Sequence, residues 1–433
     1  MPIPAQLAVN VVLSLGVRRR LGVAVVGGGH PYLVTATAQM LDGAAPEKLV
    51  PAQRVRRVHV ADGQDPHRSR VFRRLATLVA CRAMRVAVIA EQPLTSSSTQ
   101  FRALQHLPRL RTRLGQVDAY VADSEVERGR GRIDQVAFFA RQGVRYARRR
   151  IELERALRGY DAVLVQRGAY PMGPGWVARP LERFDGRVVL DLDDAVFELA
   201  PAVATKGGAG RWLYGGQQAR VLLARADAVV ASTRALAGML PNRRADAILP
   251  SVPDPEPYPR VEHRHELPLR VGWTGTPGNI RCLDPLAQVF ERLGREGIAR
   301  LEVVSSEPWR RGPSSFRRWR LDEVPAFFAR FEVGLMPLPD TPYTRAKAGF
   351  KLLQYMAAGA ASVASPVGVN TALVEDSGGG LLAGEPGEWE QALRRLAADP
   401  ALRAELGGRG RAFVERYVDL DAQADTLAGL LRG

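Results

Sequence analysis

The sequence predicts an α/β protein with two doubly wound domains that face each other across a central cleft. Its 433 residues exceed what one hydrophobic core usually serves. From Met84 onward, short apolar runs typical of buried parallel strands alternate with helix-length segments. A proline-rich stretch at residues 249–259 interrupts this alternation, and repeated prolines suit a linker better than a helix or a strand.

Residues 1–83 precede the alternating pattern and predict a basic N-terminal extension. They carry 12 basic and 4 acidic side chains and show no sustained helical or alternating period. Residues 23–30 could form a strand that leads into a glycine-rich phosphate loop, but no convincing βαβ unit follows them. We expect this extension to add little to the fold that begins at Met84.

Residues 84–250 predict the first Rossmann-like domain. A strand from Met84 is followed by a Ser/Thr-rich loop and by a helix from about Phe101. Further strands are predicted at residues 162–165, 188–190 and 228–231, with helices at residues 144–157 and 217–225. This order is typical of a doubly wound sheet, and residues 251–268 form the expected linker.

Residues 269–416 predict the second Rossmann-like domain. Its strands are expected at residues 269–273, 301–304, 333–336 and 362–365. Ligands bind beyond the carboxyl ends of parallel strands, so the cleft between the two sheets is the expected site. Residues 417–433 contain a final helix.

The net charge of +16 comes almost entirely from arginine, because only four of the 61 basic residues are lysine. Such a bias, with abundant alanine and glycine, is typical of GC-rich coding, and the sequence has no RRM-like or zinc-finger motif. No nucleic-acid partner is therefore expected. A solvated basic surface and a face that rests on anionic lipid both remain open.

The cysteines, histidines and apolar runs exclude several other classes. Cys81 and Cys282 belong to no CxxC pair or disulfide-dense pattern, so reduced thiols are expected. The six histidines form no HExxH motif, so no metal site is expected. No apolar run reaches the roughly 18 residues of a spanning helix. The N-terminus lacks the charge-first order of a secretory signal, which favours a cytoplasmic protein.

A glycine-containing turn follows the first strand of the second domain. Gly275, Thr276, Gly278 and Asn279 lie between that strand and an apparent helix through Arg281. Glycines let a backbone approach a phosphate, and a helix N-terminus offers unpaired N–H groups. The turn is a candidate phosphate site, although an ordinary βα turn has the same pattern.

The strongest functional signal lies between residues 337 and 368. Lys347, Lys351 and Gln354 have i, i+4, i+7 spacing along a helix predicted at about residues 348–358, so they would share one polar face. Two of the chain's four lysines fall within five residues here. Since arginine supplies nearly every other cation, this pair suggests that compact ammonium groups are needed, as at a diphosphate. A solvated helix face is the alternative.

This segment resembles the C-terminal domain of retaining GT-B glycosyltransferases of family 4, the group 1 glycosyltransferases. Gln354-Tyr-Met-Ala-Ala-Gly359 and Ala361-Ser-Val-Ala-Ser365 match the end of the family's donor-binding helix and the strand after it. Gly349 matches the glycine before that helix. The resemblance extends from about Met84 to the end of the chain and implies a GT-B fold whose last helix crosses back to the first domain.

The resemblance also implies roles for individual residues. Gln354 occupies the position of the glutamate that holds the donor ribose, and Ala346 that of the glutamate that touches the transferred sugar. An amide can still bond ribose hydroxyls, whereas a methyl group cannot bond a sugar hydroxyl. Trp273 stands where the family usually has an arginine. The candidate donor-binding residues are Gly275, Thr276, Gly278, Asn279, Arg345, Gly349, Phe350, Lys351 and Gln354.

In the first domain, residues 96–102 resemble the family's first loop and helix. Residues 191–194, Asp-Leu-Asp-Asp, lie at a strand end where relatives often have Asp-x-His-Asp, so Asp193 replaces the histidine. Asp193 and Asp194 could orient acceptor or sugar hydroxyls or assist proton removal. A cluster that caps the following helix is the alternative.

The resemblance implies a hexosyltransferase that moves a sugar, with retention, from a nucleotide-diphosphate sugar to a saccharide or lipid-linked glycan of the cell envelope. Lys347, Arg281, Asp193 and Asp194 are the candidate catalytic residues. The nucleotide sugar is a substrate, and no metal or further cofactor is implied. Peripheral attachment at the inner membrane face is expected. Ala346 and Gln354 motivate a second hypothesis, a GT-B-shaped binding or scaffold protein without catalysis.

Overall fold

The computed structural model describes residues 8–11, 21–26, 33–37, 83–122, 132–171, 173–198 and 216–433. The chain divides into two compact units, residues 1–81 and residues 82–433. The cleft predicted from the sequence belongs to the second unit.

Three strands lie in the first unit, where no period predicted them: β1 (Ala8–Val11), β2 (Leu21–Val26) and β3 (Leu33–Thr37). They form one sheet in the order β1-β2-β3, and β2 pairs antiparallel with both neighbours. Because β2 is not part of a parallel pair, it does not begin a βαβ unit. The glycine-rich stretch after it, residues 27–30, lies outside the described residues.

The first half of the second unit contains a six-stranded parallel sheet in the order β5-β4-β6-β7-β8-β9. Its central strands are continuous apolar runs because both faces are covered, and Val86 to Ala90 are fully buried. The strands are β4 (Met84–Ala90), β5 (Gly115–Val121), β6 (Ala162–Gln166), β7 (Arg187–Leu192), β8 (Ala228–Ala231) and β9 (Ala247–Ile248).

Helices lie on both faces of this sheet, as expected for a doubly wound domain, and apolar cores form on either side of it. A π-helical turn (Thr99–Ala103) and a 3₁₀ turn (Leu104–His106) lead into the first helix. The helices are α1 (Leu107–Leu114), α2 (Arg132–Ala156), α3 (Arg179–Glu182), α4 (Gln217–Arg225) and α5 (Arg234–Gly238).

The second half contains another six-stranded parallel sheet, in the order β12-β11-β10-β13-β14-β15. It also carries an apolar core on each face. The strands are β10 (Leu269–Thr274), β11 (Ala299–Ser305), β12 (Ser315–Arg318), β13 (Val333–Met336), β14 (Ala361–Ala364) and β15 (Gly380–Leu382). Its helices are α6 (Ala287–Arg295), α7 (Val324–Phe328), α8 (Pro342–Arg345), α9 (Phe350–Ala357), α10 (Val369–Ser377), α11 (Pro386–Ala398) and α12 (Pro400–Tyr417).

Two predicted helices begin later than the sequence suggested. After the turn at residues 275–279 the chain forms a 3₁₀ segment, Pro277–Leu286, and α6 starts only beyond its second proline, because proline removes an amide donor. Helix α9 begins at Phe350, since Gly349 has a left-handed φ of 65°. Lys347 therefore precedes the helix and does not share a helical face with Lys351.

The final helix, α13 (Leu420–Arg432), packs mainly on the first sheet, whereas Leu420 at its start is buried in a core of the second domain. Leu427, Ala428 and Leu431 are buried in the same core as Val86 and Val88 of β4. At its surface Arg113 of α1 pairs with Asp421 and Asp425. The chain end thus ties the two sheets of this unit together.

Candidate active site

The two sheets meet through contacts at their carboxyl ends. The rings of Phe101 and Phe350 lie 4.7 Å apart. Thr233 donates a hydrogen bond of 3.0 Å to the carbonyl oxygen of Ala346. These contacts place the segment before α9 against the loops of the first domain, and they enclose the cleft in which the candidate residues lie.

Two adjacent carboxylates follow β7 and point into this cleft. Asp193 accepts hydrogen bonds from the Ser98 hydroxyl, at 2.5 Å, and from the Arg167 guanidinium. Burial raises the pKa of Asp193, but the charges of Arg167 and Arg102 and the hydrogen bonds from Arg167 and Ser98 together outweigh it and hold that pKa below its usual value. Asp193 is therefore a firmly ionised, positioned carboxylate, and it is a weaker candidate for proton removal than the sequence suggested.

Asp194 reaches across the cleft. It accepts a hydrogen bond of 2.9 Å from the Tyr343 hydroxyl of α8, and its Oδ2 lies 3.8 Å from Nζ of Lys347. Nζ of Lys347 also lies 4.7 Å from the centre of the Tyr343 ring. Asp194 and Lys347, two residues singled out from the sequence, are thus brought together from different domains.

A buried ion pair lies next to Asp193 and Asp194 and holds their surroundings in place. Arg102 and Asp191 are 4% and 2% exposed, and the guanidinium donates to both carboxylate oxygens. Arg102 also donates to the carbonyl oxygen of Leu249. Because a buried charge is costly without its partner, this pair fixes the loop at residues 96–102 against β7.

Arg167 and Glu91 belong to the site, and sequence reasoning missed both. Arg167 follows β6 with a left-handed φ of 65°, which is uncommon for a residue with a side chain. Glu91 follows β4 directly. Strands β4 and β6 are neighbours with β5 on the outer side of β4, so the chain switches direction between them. Such a switch point is where ligands bind in open α/β sheets.

The pKa of Glu91 is shifted in the direction opposite to that of Asp193. Burial raises its pKa to about 7, although Arg167 lowers it; Asp193 and Asp194 push it upward as well. Its Oε2 is buried and has no hydrogen-bond partner among the described residues. The signal in the sequence is a glutamate directly after a run that is apolar from Val86 to Ala90.

The two lysines lie close enough for their charges to repel. Burial lowers the pKa of Lys351 to about 8, and the charge of Lys347 lowers it further. The Lys351 ammonium has no hydrogen bond or ion pair in the part of the chain that the structure describes. Lys347, Lys351 and Arg281 all act electrostatically on the thiol of Cys282, whose pKa burial raises. These three cations therefore share one region, which is suited to an anion.

Three other predicted residues have partners of their own. Arg345 is exposed and pairs with Asp340 at 2.5 Å. Gln354 is 4% exposed, and its amide donates at 2.8 Å to the Tyr258 hydroxyl of the linker. Phe350 packs on Phe101. Arg345 and Gln354 are thus each engaged by another side chain, Asp340 and Tyr258.

In the turn after β10, packing against Trp273 explains one of the two glycines. A Cβ on Gly275 would lie 2.4 Å from the ring of Trp273, whereas Gly278 has open space around it. The Asn279 amide donates at 3.0 Å to the Thr276 hydroxyl and holds the turn. Gly275 is thus required by the Trp273 side chain, and Gly278 is free to face a ligand.

Solved structures with the same arrangement have low sequence identity to this chain. Sucrose-phosphate synthase from Thermosynechococcus elongatus superposes with a TM-score of 0.58 at 15% identity, covering 80% of this chain and 98% of that one. HepE from Anabaena in complex with UDP and glucose superposes with a TM-score of 0.56 at 13% identity, covering 81% of this chain and 100% of HepE. WaaG, a glycosyltransferase involved in lipopolysaccharide biosynthesis, superposes with a TM-score of 0.54 at 17% identity, covering 80% of this chain and 100% of WaaG. The chain has the GT-B fold.

Sequence comparison places the group 1 likeness in the second GT-B domain. Residues 269–399 match the family model described as glycosyl transferases group 1. Among curated proteins, none matches this chain. The predicted fold class is confirmed, and the resemblance to group 1 glycosyltransferases is confirmed for that domain.

Two further properties of the described residues bear on the site. No group of three or more His, Cys, Asp or Glu side chains is arranged there to hold a metal ion. Across those same segments, no helix is both long and apolar enough to cross a bilayer.

Proposed function

We propose that this protein is a hexosyltransferase that takes a sugar from a nucleotide-diphosphate sugar. The observation that carries the proposal is the Lys347–Lys351 pair. Lys351 has a pKa of about 8 because burial and the charge of Lys347 lower it, and it has no ion pair or hydrogen bond among the described residues. A diphosphate bound between the two ammonium groups would neutralise both. The similar HepE structure contains UDP, a nucleoside diphosphate.

The same cations would act on the reaction. When the bond between the sugar and the phosphate breaks, negative charge grows on the departing diphosphate, and preorganised cations stabilise that charge most in the transition state. Lys347 is held for this task by Asp194 and by the Tyr343 ring. Arg281 and the open backbone at Gly278 are the further groups that we assign to the donor.

The first domain would hold the acceptor. Asp193, Arg167 and Ser98 form a fixed polar cluster on that side of the cleft, and Glu91 lies at the switch point beside it. Such groups can orient sugar hydroxyls. We therefore assign a saccharide or lipid-linked glycan as the acceptor. The likeness to WaaG supports a role in the cell envelope, and the group 1 match supports retention of configuration.

A second candidate function, a GT-B-shaped binding protein without catalysis, is favoured by the surroundings of Ala346. This residue is completely buried, and its methyl group cannot bond a sugar. Gln354, at the other family position, is engaged with Tyr258. Both proposals include nucleotide binding, and only the first includes release of nucleoside diphosphate.

A thermal-shift screen followed by a turnover assay separates the proposals. The full chain is melted with nucleoside diphosphates and with their sugars, because a bound donor raises the apparent stability by mass action. The stabilising donor is then incubated with saccharide acceptors while nucleoside diphosphate release is measured. Stabilisation with release supports the transferase, and stabilisation without release for any acceptor supports the binding protein. No stabilisation by any nucleotide would contradict both.

Matched variants locate the binding site in the same screen. Lys351→Met should abolish the increase in melting temperature, because it removes an ammonium group that has no ion pair among the described residues and keeps most of the side-chain length. Arg310→Met is the control, since Arg310 is exposed and has no ion-pair partner among the described residues. Equal shifts for both variants would place the nucleotide elsewhere.

A further inference from the structure

Charged side chains occupy one face of the second sheet on three neighbouring strands. Arg270 of β10 pairs in register with Arg300 of β11, and Glu302 of β11 pairs with Ser315 of β12. Paired residues of parallel strands project to the same face, and so do residues two apart in one strand. Arg270, Arg300, Glu302 and Arg317 therefore share one face. Parallel sheets are normally buried on both faces, so charged side chains at these positions need an explanation of their own.

A cavity of about 560 Å³ lies over this part of the sheet. Arg264 of the linker and Arg330, before β13, also line it, which brings the number of lining arginines to five. The ring of Phe331 lies between the cavity and the core, because it covers Gly272, where an added Cβ would lie 2.0 Å from the ring. The volume is within the range of about 300 to 1,000 Å³ that is typical of small-molecule sites.

Glu302 lines the cavity, and two arginines share it. Its carboxylate oxygens lie 2.8 Å from Nε of Arg317 and 3.4 Å from Nε of Arg330. Arg317 donates to Glu302 through Nε, so its terminal N–H groups remain available to an anion. The side chain of Arg300 has no ion pair or hydrogen bond in the part of the chain that the structure describes. One glutamate thus faces three arginines.

A second glutamate fixes Arg270 at the inner wall. Glu332 is 1% exposed, and it accepts hydrogen bonds of 3.1 Å from Arg270 and from the equally buried Arg403. Arg264 pairs at 3.2 Å with the exposed Glu262. Six arginines therefore meet three glutamates around the cavity, which leaves a surplus of three positive charges.

We propose that this cavity binds a small anion that carries two or more phosphate groups. The forked guanidinium group matches the oxygens of a phosphate in pairs. Neighbouring strands lie about 4.8 Å apart, so arginines on β10, β11 and β12 span roughly 10 Å, which suits several linked phosphates better than one. A concave site favours a small molecule over a nucleic-acid backbone or a lipid surface, because those present their phosphates on a broad surface.

The position of this site is separate from that of the candidate active site. Arg270 is the second residue of β10, and the turn at residues 275–279 follows the other end of that strand. From Arg270 to Thr274 the strand rises roughly 13 Å. Both sites could therefore be filled at once, and the proposal does not depend on the proposed transferase function.

The test is titration calorimetry of the full chain with inorganic triphosphate, in about 0.15 M salt so that distant surface charges are screened. Lys351→Met serves as the parent protein, because it lacks the ammonium that we assign to the donor site. The parent should bind triphosphate, and adding Arg300→Gln/Arg317→Gln should weaken binding on the order of a hundredfold. Each lost charged hydrogen bond accounts for roughly tenfold or more.

Two further variants of the parent make the outcome specific. Arg310→Gln/Arg318→Gln removes the same charge from exposed arginines, and Arg318 lies on the opposite face of β12, so this control should bind as the parent does. Arg300→Gln alone breaks no ion pair among the described residues and should weaken binding about tenfold. Circular dichroism and melting curves show that each variant is folded.

Three results would overturn the proposal. They are no binding of triphosphate by the parent, unchanged binding after Arg300→Gln, and an equal loss in the Arg310→Gln/Arg318→Gln control. Binding of duplex DNA or of anionic vesicles through Arg300 and Arg317, without binding of triphosphate, would overturn it too.

Discussion

Nζ of Lys347 lies 3.8 Å from Oδ2 of Asp194, an ion pair that joins the two GT-B domains across the cleft. Both side chains are mostly buried, with exposed fractions of 16% and 18%. A diphosphate entering the cleft would meet a lysine that is already oriented by a carboxylate and an aromatic ring. The pair therefore links domain closure to the proposed donor site.

Replacing Lys347 by methionine should lower kcat/KM for the donor by roughly tenfold to a hundredfold. A charged hydrogen bond contributes roughly 1.5 to 3 kcal/mol, and this one strengthens as charge grows on the leaving group. The loss should therefore fall mainly on kcat, measured as nucleoside diphosphate release under saturating donor. Arg310→Met is the matched control. Wild-type kinetics for Lys347→Met would remove Lys347 from the mechanism.

Glu91 should make the protein less stable as the pH rises from about 4.5 to 7. Its folded pKa of about 7 lies above its ordinary value of 4.5, so the folded state binds the extra proton in this window. The stabilisation that Glu91 contributes is therefore complete below pH 4.5 and is lost as the pH rises through 7. As the pH rises between these two values, the free energy of unfolding of Glu91→Gln should increase by up to about 3 kcal/mol relative to that of wild type.

Denaturant unfolding at pH 5 and pH 8 measures this difference. Glu291→Gln serves as the control, because Glu291 is exposed on α6 and should show the same stability difference from wild type at both pH values. If Glu91→Gln behaves like Glu291→Gln, the Glu91 carboxyl is not buried as described.

Gly349 should not tolerate a side chain. Its φ is 65°, and an added Cβ would lie 2.7 Å from Leu373 and 2.9 Å from Val369. Gly349→Ala should therefore destabilise the protein by about 1 to 3 kcal/mol. Gly294→Ala is the matched control in α6, where nothing lies within 4 Å, and it should stabilise by about 0.5 to 1 kcal/mol. The comparison is made by denaturant unfolding, and equal effects would contradict the geometry.

A chain that begins at Met84 should stay soluble and keep its affinity for nucleoside diphosphate. Strand β4 begins at this residue, and residues 82–433 form a compact unit of their own. The dissociation constant is compared with that of the full chain by titration calorimetry. Insolubility, or a clearly weaker binding, would show that the first unit supports the site.

The strands of the GT-B unit could be predicted because they are buried on both faces. Residues 162–165 and 228–231 are continuous apolar runs, and they form the strands β6 and β8. Strands β1 to β3 could not, since they lie among arginine clusters without an alternating period. The start of α9 was placed too early, because the left-handed conformation of Gly349 does not appear in the helical spacing.

The site was predictable only in part, for a different reason. Lys347 and Asp194 could be selected by type and motif, but Glu91 and Arg167 come together through the order of β4 and β6 in the sheet. The Gln354–Tyr258 hydrogen bond depends on the path of the linker over the second domain. When side chains come together through the order of strands or the path of a linker, no regular spacing in the sequence indicates that they are neighbours.

The most direct test of the lysine site is the affinity, at pH 7 and pH 9, for the nucleoside diphosphate that stabilises the full chain most in the thermal-shift screen. It is measured by titration calorimetry. Because the pKa of Lys351 is about 8, its ammonium is mostly charged at the lower pH and mostly neutral at the higher one. We predict that wild type binds this nucleoside diphosphate roughly tenfold more weakly at pH 9, with proton uptake on binding. Lys351→Met should bind it weakly and equally at both pH values. A pH-independent wild-type affinity that Lys351→Met leaves unchanged would contradict the account.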